Sequence, residues 1–81
     1  MLTEIDEPIE VGVVFRKNAV RPVWFFWKGR KYSLTELTYC WKEKVGDTMI
    51  HYFSVFDGAN TFELCYDSKL LSWKLGKVTG D

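Results

Sequence analysis

Histidine is almost missing from this sequence, and its scarcity removes whole classes of chemistry. His51 is the only one, so a metal site of several imidazoles is excluded. A mixed Cys/His zinc site is hard to build from two cysteines, Cys40 and Cys65, with no CxxC pair. Neither a glycine-rich phosphate loop nor GxGxxG occurs. Charge of one sign is lacking too: 11 Lys plus Arg stand against 11 Asp plus Glu. No whole-molecule field therefore draws the chain to nucleic acid or an anionic membrane. No apolar run approaches the roughly 18 residues of a membrane-spanning helix. The opening MLTEIDEPIE is acidic and has neither the basic nor the apolar region of a secretory signal. These features predict a cytoplasmic protein with buried, reduced thiols in place of a disulfide. Carboxylates Glu36, Asp57, Glu63 and Asp67 show no spacing that sets two around a substrate. If Cys65 sits opposite Tyr52 it points away from His51, which weakens a Cys–His pair. The sequence predicts no enzyme, no cofactor and no metal.

Ring side chains are what the chain has in quantity. Aromatics make up 17% of its 81 residues, and a small core gains most from side chains that each bury about 150–250 Å². The length predicts one domain, 1–81, with 1–8 frayed up to Pro8. Three of four tryptophans lie in Val23–Trp41, VWFFWKGRKYSLTELTYCW. Gly29-Arg30 reads there as the two-residue loop of a type II′ hairpin, because its first position needs a positive φ. That loop pairs Lys28 with Lys31, Trp27 with Tyr32, Phe26 with Ser33, Phe25 with Leu34 and Trp24 with Thr35. Side chains alternate, so Val23, Phe25, Trp27, Tyr32 and Leu34 share an apolar face, taken as core. Trp24, Phe26, Ser33 and Thr35 share the other. A bulge near Glu36 would then carry Leu37, Tyr39 and Trp41 inward. A rival reading puts a short helical turn within Ser33–Lys44, since Ser33-x-x-Glu36 fits a capping box.

Ile9, Val11, Val13 and Phe15 alternate with other residues as a first strand. Arg16–Ala19 reads as a polar loop, and Lys42–Asp47 as a charged connection. Thr48–Phe56 and Thr61–Asp67 flank Asp57-Gly58-Ala59-Asn60 as a second hairpin. Every loop length considered there leaves Phe53, Val55, Phe62 and Leu64 on one face, with His51 and Tyr66 at its end. Leu71, Trp73 and Leu75 mark a last short strand. The fold class predicted is all-β: a small antiparallel barrel or strongly bent sheet of five to six strands, SH3-like.

Charge is segregated along the chain although it cancels overall. Residues 1–10 hold Glu4, Asp6, Glu7 and Glu10 and no base. Residues 11–35 hold Arg16, Lys17, Arg21, Lys28, Arg30 and Lys31 and no acid. Bases interleaved with Trp24 and Phe26 suit single-stranded nucleic acid, whose bases stack on rings while its phosphates meet cations. The candidate binding set is Arg21, Trp24, Phe26, Lys28, Arg30 and Lys31. The same aromatic face, or an exposed strand edge, would equally serve a protein partner. The plainer alternative makes the bases ordinary turn residues and covers Trp24 and Phe26 with a neighbouring strand.

Several patches together resemble a known family. Glu7-Pro8-Ile9-Glu10-Val11, then Phe25-x-Trp27-x-Gly29-Arg30-x-Tyr32, Leu34, Glu36 and Trp41, are similar to an uncharacterised bacterial family of small domains of unknown function. Its pattern runs EPIEV, F-x-W-R-G-R-x-Y-x-V-x-E, then tryptophan. Leu64-x-Tyr66-Asp67 and Trp73-x-Leu75 match its later part. Lys28 stands where the pattern has arginine, and Val45–His51 lacks the aromatic residues of its relatives. The resemblance carries over no catalytic residue. It implies an association with translesion-type DNA polymerases, and so a partner in nucleic-acid metabolism.

Overall fold

A computed structural model describes residues 2–80. Seven strands follow one another: β1 (Leu2–Arg16), β2 (Ala19–Trp27), β3 (Arg30–Ser33), β4 (Glu36–Val45), β5 (Thr48–Phe56), β6 (Thr61–Asp67) and β7 (Ser72–Thr79). They form one antiparallel sheet in the order β3-β2-β1-β7-β6-β5-β4. The all-β expectation holds. The sheet does not close into a barrel, and its strands number seven, not five or six. The extra strand arises because the segment after the first hairpin breaks at Leu34-Thr35 into β3 and β4. Ser33–Lys44 contains no helical turn; Thr38, Tyr39 and Trp41 pack better on a pleated surface. Among the described residues no helix is long and apolar enough to cross a membrane.

The first strand is longer than the alternation predicts. Residues 2–8, expected to fray, pair with β7 together with Ile9, Leu2 opposite Thr79 and Ile9 opposite Trp73. The second half of β1 pairs with β2, Glu10 opposite Phe26 and Arg16 opposite Ala19. β1 thus joins the two halves of the sheet, and bulges relieve it twice. Asp6 takes φ 54° where the β1–β7 register shifts. Between Gly12 and Val13 the β2 partner jumps from Trp24 to Pro22, leaving Val23 as the extra residue.

The first hairpin turns one residue earlier than expected. Trp27 faces Arg30, Phe26 faces Lys31, Phe25 faces Tyr32 and Trp24 faces Ser33. Lys28 and Gly29 form the loop with φ 53° and 74°, the double positive φ of a type I′ turn. Every partner moves by two residues, an even shift, so the face assignment survives. Phe25 is fully buried and stacks on Tyr32 at 4.8 Å.

Phe25, Phe53, Val55, Phe62, Leu64 and Leu75 are the buried core. Four of these are the β5–β6 face read from the sequence, closed by a four-residue loop. Asp57 Oδ1 organises that loop by accepting from the Ala59 and Asn60 amides at 2.9 and 2.7 Å. Trp27 Nε1 donates to Glu7 Oε1 at 3.0 Å, tying β2 to β1. Leu71 departs from expectation: it lies in the β6–β7 turn at φ 54° and is exposed, so Trp73 and Leu75 alone carry the apolar alternation of that stretch. Lys42–Val45, expected as a connection, continues β4 to a tight turn at Gly46-Asp47.

At one corner the two edges of the sheet meet. The Leu34 amide donates to Val23 O on β2 at 3.0 Å, and the next amide, Thr35, donates to Phe56 O on β5 at 2.8 Å. Beyond that corner β2 and β4 form no ladder. β3 pairs only Trp24–Trp27, leaving Ala19–Pro22 on β2 without a strand on that side. β4 likewise pairs only with β5. A seam therefore stays open between β2 and β4.

Candidate nucleic-acid interface

The sheet's two faces divide the six candidate residues. Glu10, Gly12 and Val14 alternate on the outer face of β1, opposite Phe26, Trp24 and Arg21. Lys31 faces Phe26 from β3. Arg21, Trp24, Phe26 and Lys31 thus share the outer face, with Glu10 beside Phe26. Lys28 is in the turn with Nζ 5.0 Å from the Trp27 ring, and Arg30 reaches over Tyr32 at 5.1 Å. Those two line the inner rim and not the Trp24 face.

Gly12 seats Trp24. A Cβ built at Gly12 would fall 2.6 Å from Trp24 Cζ2 and nearer still to Cε2 and Nε1. The indole lies across the bare backbone, covering a strand glycine that has no side chain of its own to pack. Phe26 meets the indole edge to face at 5.6 Å, and Lys31 Nζ stands 5.3 Å from its centroid. Trp24 is half-buried, and Phe26 is 40% exposed. Arg21 Nη2 donates to Thr35 O at 3.4 Å. Among the described residues only Lys69 and Lys74 have an ion pair, with Asp47 and Asp6. Among the described residues none of the six candidates has a carboxylate in an ion pair.

Two further clusters escaped the sequence reading. The β4 bulge falls at Thr38, between Leu37 opposite Val55 and Tyr39 opposite Ser54. Leu37 therefore turns inward as expected, but Tyr39 and Trp41 turn outward. Thr38 Oγ1 holds the bulge by donating to Ser54 O at 2.9 Å. Tyr39, Trp41 and Tyr52 stack there at 5.4 and 5.0 Å. Burial, then Glu43, Cys65 and Glu63, raise the Tyr52 phenol above its ordinary value. The i, i+2 spacing of Tyr39 and Trp41 was visible in the sequence; the bulge that chose their side was not. The second cluster is a cleft of about 340 Å³ on the inner face, lined by Val13, Phe15, Val20, His51, Phe53, Tyr66 and Trp73.

Both thiols are free. Cys40 is exposed on edge strand β4, correcting the expectation that it is buried. Cys65 lies opposite Tyr52, away from His51, which pairs with Tyr66. Burial first, then Glu63 and Asp6, push its thiol from 9.0 to about 11 against the opposing pull of Lys74 and Lys77. A thiol so shifted is protonated at neutral pH and a poor nucleophile. Among the described residues no group of three or more His, Cys, Asp or Glu could hold a metal ion.

No family model matches the chain. Neither a curated protein nor a solved structure matches it. The functional reading rests on the chain's own surface.

Proposed function

We propose that the chain is a non-catalytic binding module that holds single-stranded nucleic acid on the outer face of β1–β2–β3. One observation carries the reading: Arg21, Trp24, Phe26 and Lys31 share that face, within a stretch, residues 11–35, that contains no acid. A base stacks on the exposed Phe26 ring, and the Trp24 indole supports it edge-on. Arg21 and Lys31 meet the flanking phosphates, as cations do beside stacking platforms. Lys28 and Arg30 at the turn extend the positive field around the hairpin tip. Nothing in this arrangement reads base edges, so the binding is sequence-tolerant.

The test is titration of labelled protein with mixed single-stranded DNA and RNA, followed by amide shifts. Binding should weaken steeply between about 50 and 200 mM salt as phosphate contacts release counterions. Phe26→Ala should cost about 1–3 kcal/mol, the worth of one stacked base. Lys31→Glu should weaken binding and flatten the salt dependence. Absence of any shift at low salt defeats the reading.

A further inference from the structure

We infer that the ring-lined cleft on the inner face binds a small aromatic carboxylate, its ring held among Phe15, Phe53 and Trp73 and its carboxylate meeting Lys42 beside His51. This site is separate from the Trp24–Phe26 face and does not depend on it. The shape of the walls, their unused polar groups and the placing of charge point to the same ligand.

The walls come from two parts of the sheet. The β1–β2 hairpin supplies Val13, Phe15 and Val20, and β5, β6 and β7 supply His51, Phe53, Tyr66 and Trp73. The volume of about 340 Å³ suits a small molecule and not a folded partner. On the sheet side Trp73 tilts against Phe53 at 5.5 Å and against Tyr66 at 4.9 Å. Phe15, on the hairpin side, is 72% exposed and meets no other ring among the described residues. A flat ring between these walls gains tilted or offset ring contacts on both sides and takes Phe15 out of water. An aliphatic chain gains the burial alone.

The polar groups of the cleft are unused. They belong to His51 and Tyr66, whose rings lie 6.2 Å apart. Neither side chain has a hydrogen-bond partner among the described residues. Apolar walls with one or two polar groups at their end orient a ligand that carries a polar substituent on a ring. His51 and Phe53 also line an adjoining hollow of about 240 Å³, together with Cys40 and Lys42. That hollow is where the substituent leaves the rings.

Charge decides the sign of the substituent. Cys40 stands opposite the buried Phe53, so alternation places Lys42, opposite His51, and Lys44, opposite Met49, on the inner face too. Both lysines are exposed, and neither has an ion pair among the described residues. The neighbouring acids are turned away or occupied. Glu43 and Asp67 stand opposite Ile50 on the outer face. Asp47 pairs with Lys69. Glu7, opposite the buried Leu75, accepts the Trp27 indole bond. The mouth beside His51 is therefore cationic, which favours a carboxylate and disfavours an amine.

The probe is indole-3-acetate, compared with tryptamine, the same ring on a cation, and with octanoate, the same anion on an aliphatic chain. Indole-3-acetate should shift the Val13, Phe15 and Val20 amides, the His51 ring C–H signals and the Trp73 indole N–H. Tryptamine and octanoate should each bind on the order of tenfold more weakly, for want of the charge or of the ring contacts. Phe15→Ala, at a position exposed enough to spare the fold, should weaken indole-3-acetate by about fivefold. Lys42→Gln should weaken it by about two- to fivefold, the worth of one exposed ion pair. Phe26→Ala should leave it unchanged, which separates this result from the nucleic-acid interface. Equal response to tryptamine or to octanoate overturns the proposal, as does unaltered affinity in a folded Phe15→Ala. Shifts confined to Trp24–Lys31, or none near the solubility limit of indole-3-acetate, overturn it also.

Discussion

Gly12→Ala is the sharpest probe of the outer face, because it moves Trp24 without touching a charge. The added methyl would lie 2.6 Å from Trp24 Cζ2 and closer to two other ring atoms. Carbon atoms normally rest about 3.5–4.0 Å apart, so the indole must withdraw by roughly 1 Å or more. Overpacking of that kind costs about 1–3 kcal/mol. Replacing a strand glycine by alanine returns about 0.5–1 kcal/mol through the unfolded chain. The net loss is about 0–2.5 kcal/mol, which lowers Tm by up to roughly 20 °C at this chain length. Gly29→Ala is the control. Nothing lies within 4 Å of a Cβ there, but φ is 74°, so its cost is backbone strain of about 1–2 kcal/mol. Thermal melts followed by circular dichroism give both losses, and the indole N–H resonances distinguish them. Gly12→Ala should shift the Trp24 resonance and weaken binding of single-stranded DNA; Gly29→Ala should leave that resonance in place. An unchanged melt together with an unmoved Trp24 resonance in Gly12→Ala would refute the seating of the indole.

Two other outcomes follow from contacts elsewhere. Glu7→Ala removes the acceptor of the Trp27 indole bond and should cost about 1.5–3 kcal/mol by urea unfolding, the range for bonds to charged groups. Glu7→Gln, which keeps an acceptor oxygen, should cost less; equal losses would mean the bond contributes nothing. Cys65 retains its proton longer in the folded chain, its value being raised from 9.0 to about 11. The unfolded chain then binds fewer protons in that window, so the stability associated with this thiol is intact below about pH 9 and lost as pH rises through the folded value. Tyr52 is raised in the same direction. Unfolding free energies measured from pH 8 upward should fall, and Cys65→Ala should shallow the fall; an identical slope would remove Cys65 as its source.

Sequence periodicity made the β5–β6 core face legible because several loop lengths led to the same pairing of faces. The Trp24/Phe26 and Phe25/Trp27 division was legible for a related reason: the turn moved by one position, but the pairing moved by an even number. A bulge after the first hairpin was expected near Glu36, but its position was not legible. The extra residue at Thr38 sent Tyr39 and Trp41 outward, and local propensity carries no signal for its position when the ladder across it decides. The pairing of Leu2–Ile9 with β7 was hidden because it joins segments far apart in the chain. Four of the six candidate residues came together as alternation required. Lys28 and Arg30 fell elsewhere because the loop itself shifted onto Lys28.

The meeting of β1 and β7 in the middle of the sheet has a consequence for how the molecule is made. β2 and β3 lean on one flank of β1, while β4, β5 and β6 reach it only through β7. During synthesis the earlier strands can gather into two separate groups, but the span between them waits for residues 72–79 to emerge. Such late, long-distance closure is slow. Until it happens, the upstream edge of β1 and the free edge of β6 are open to mispairing with other chains.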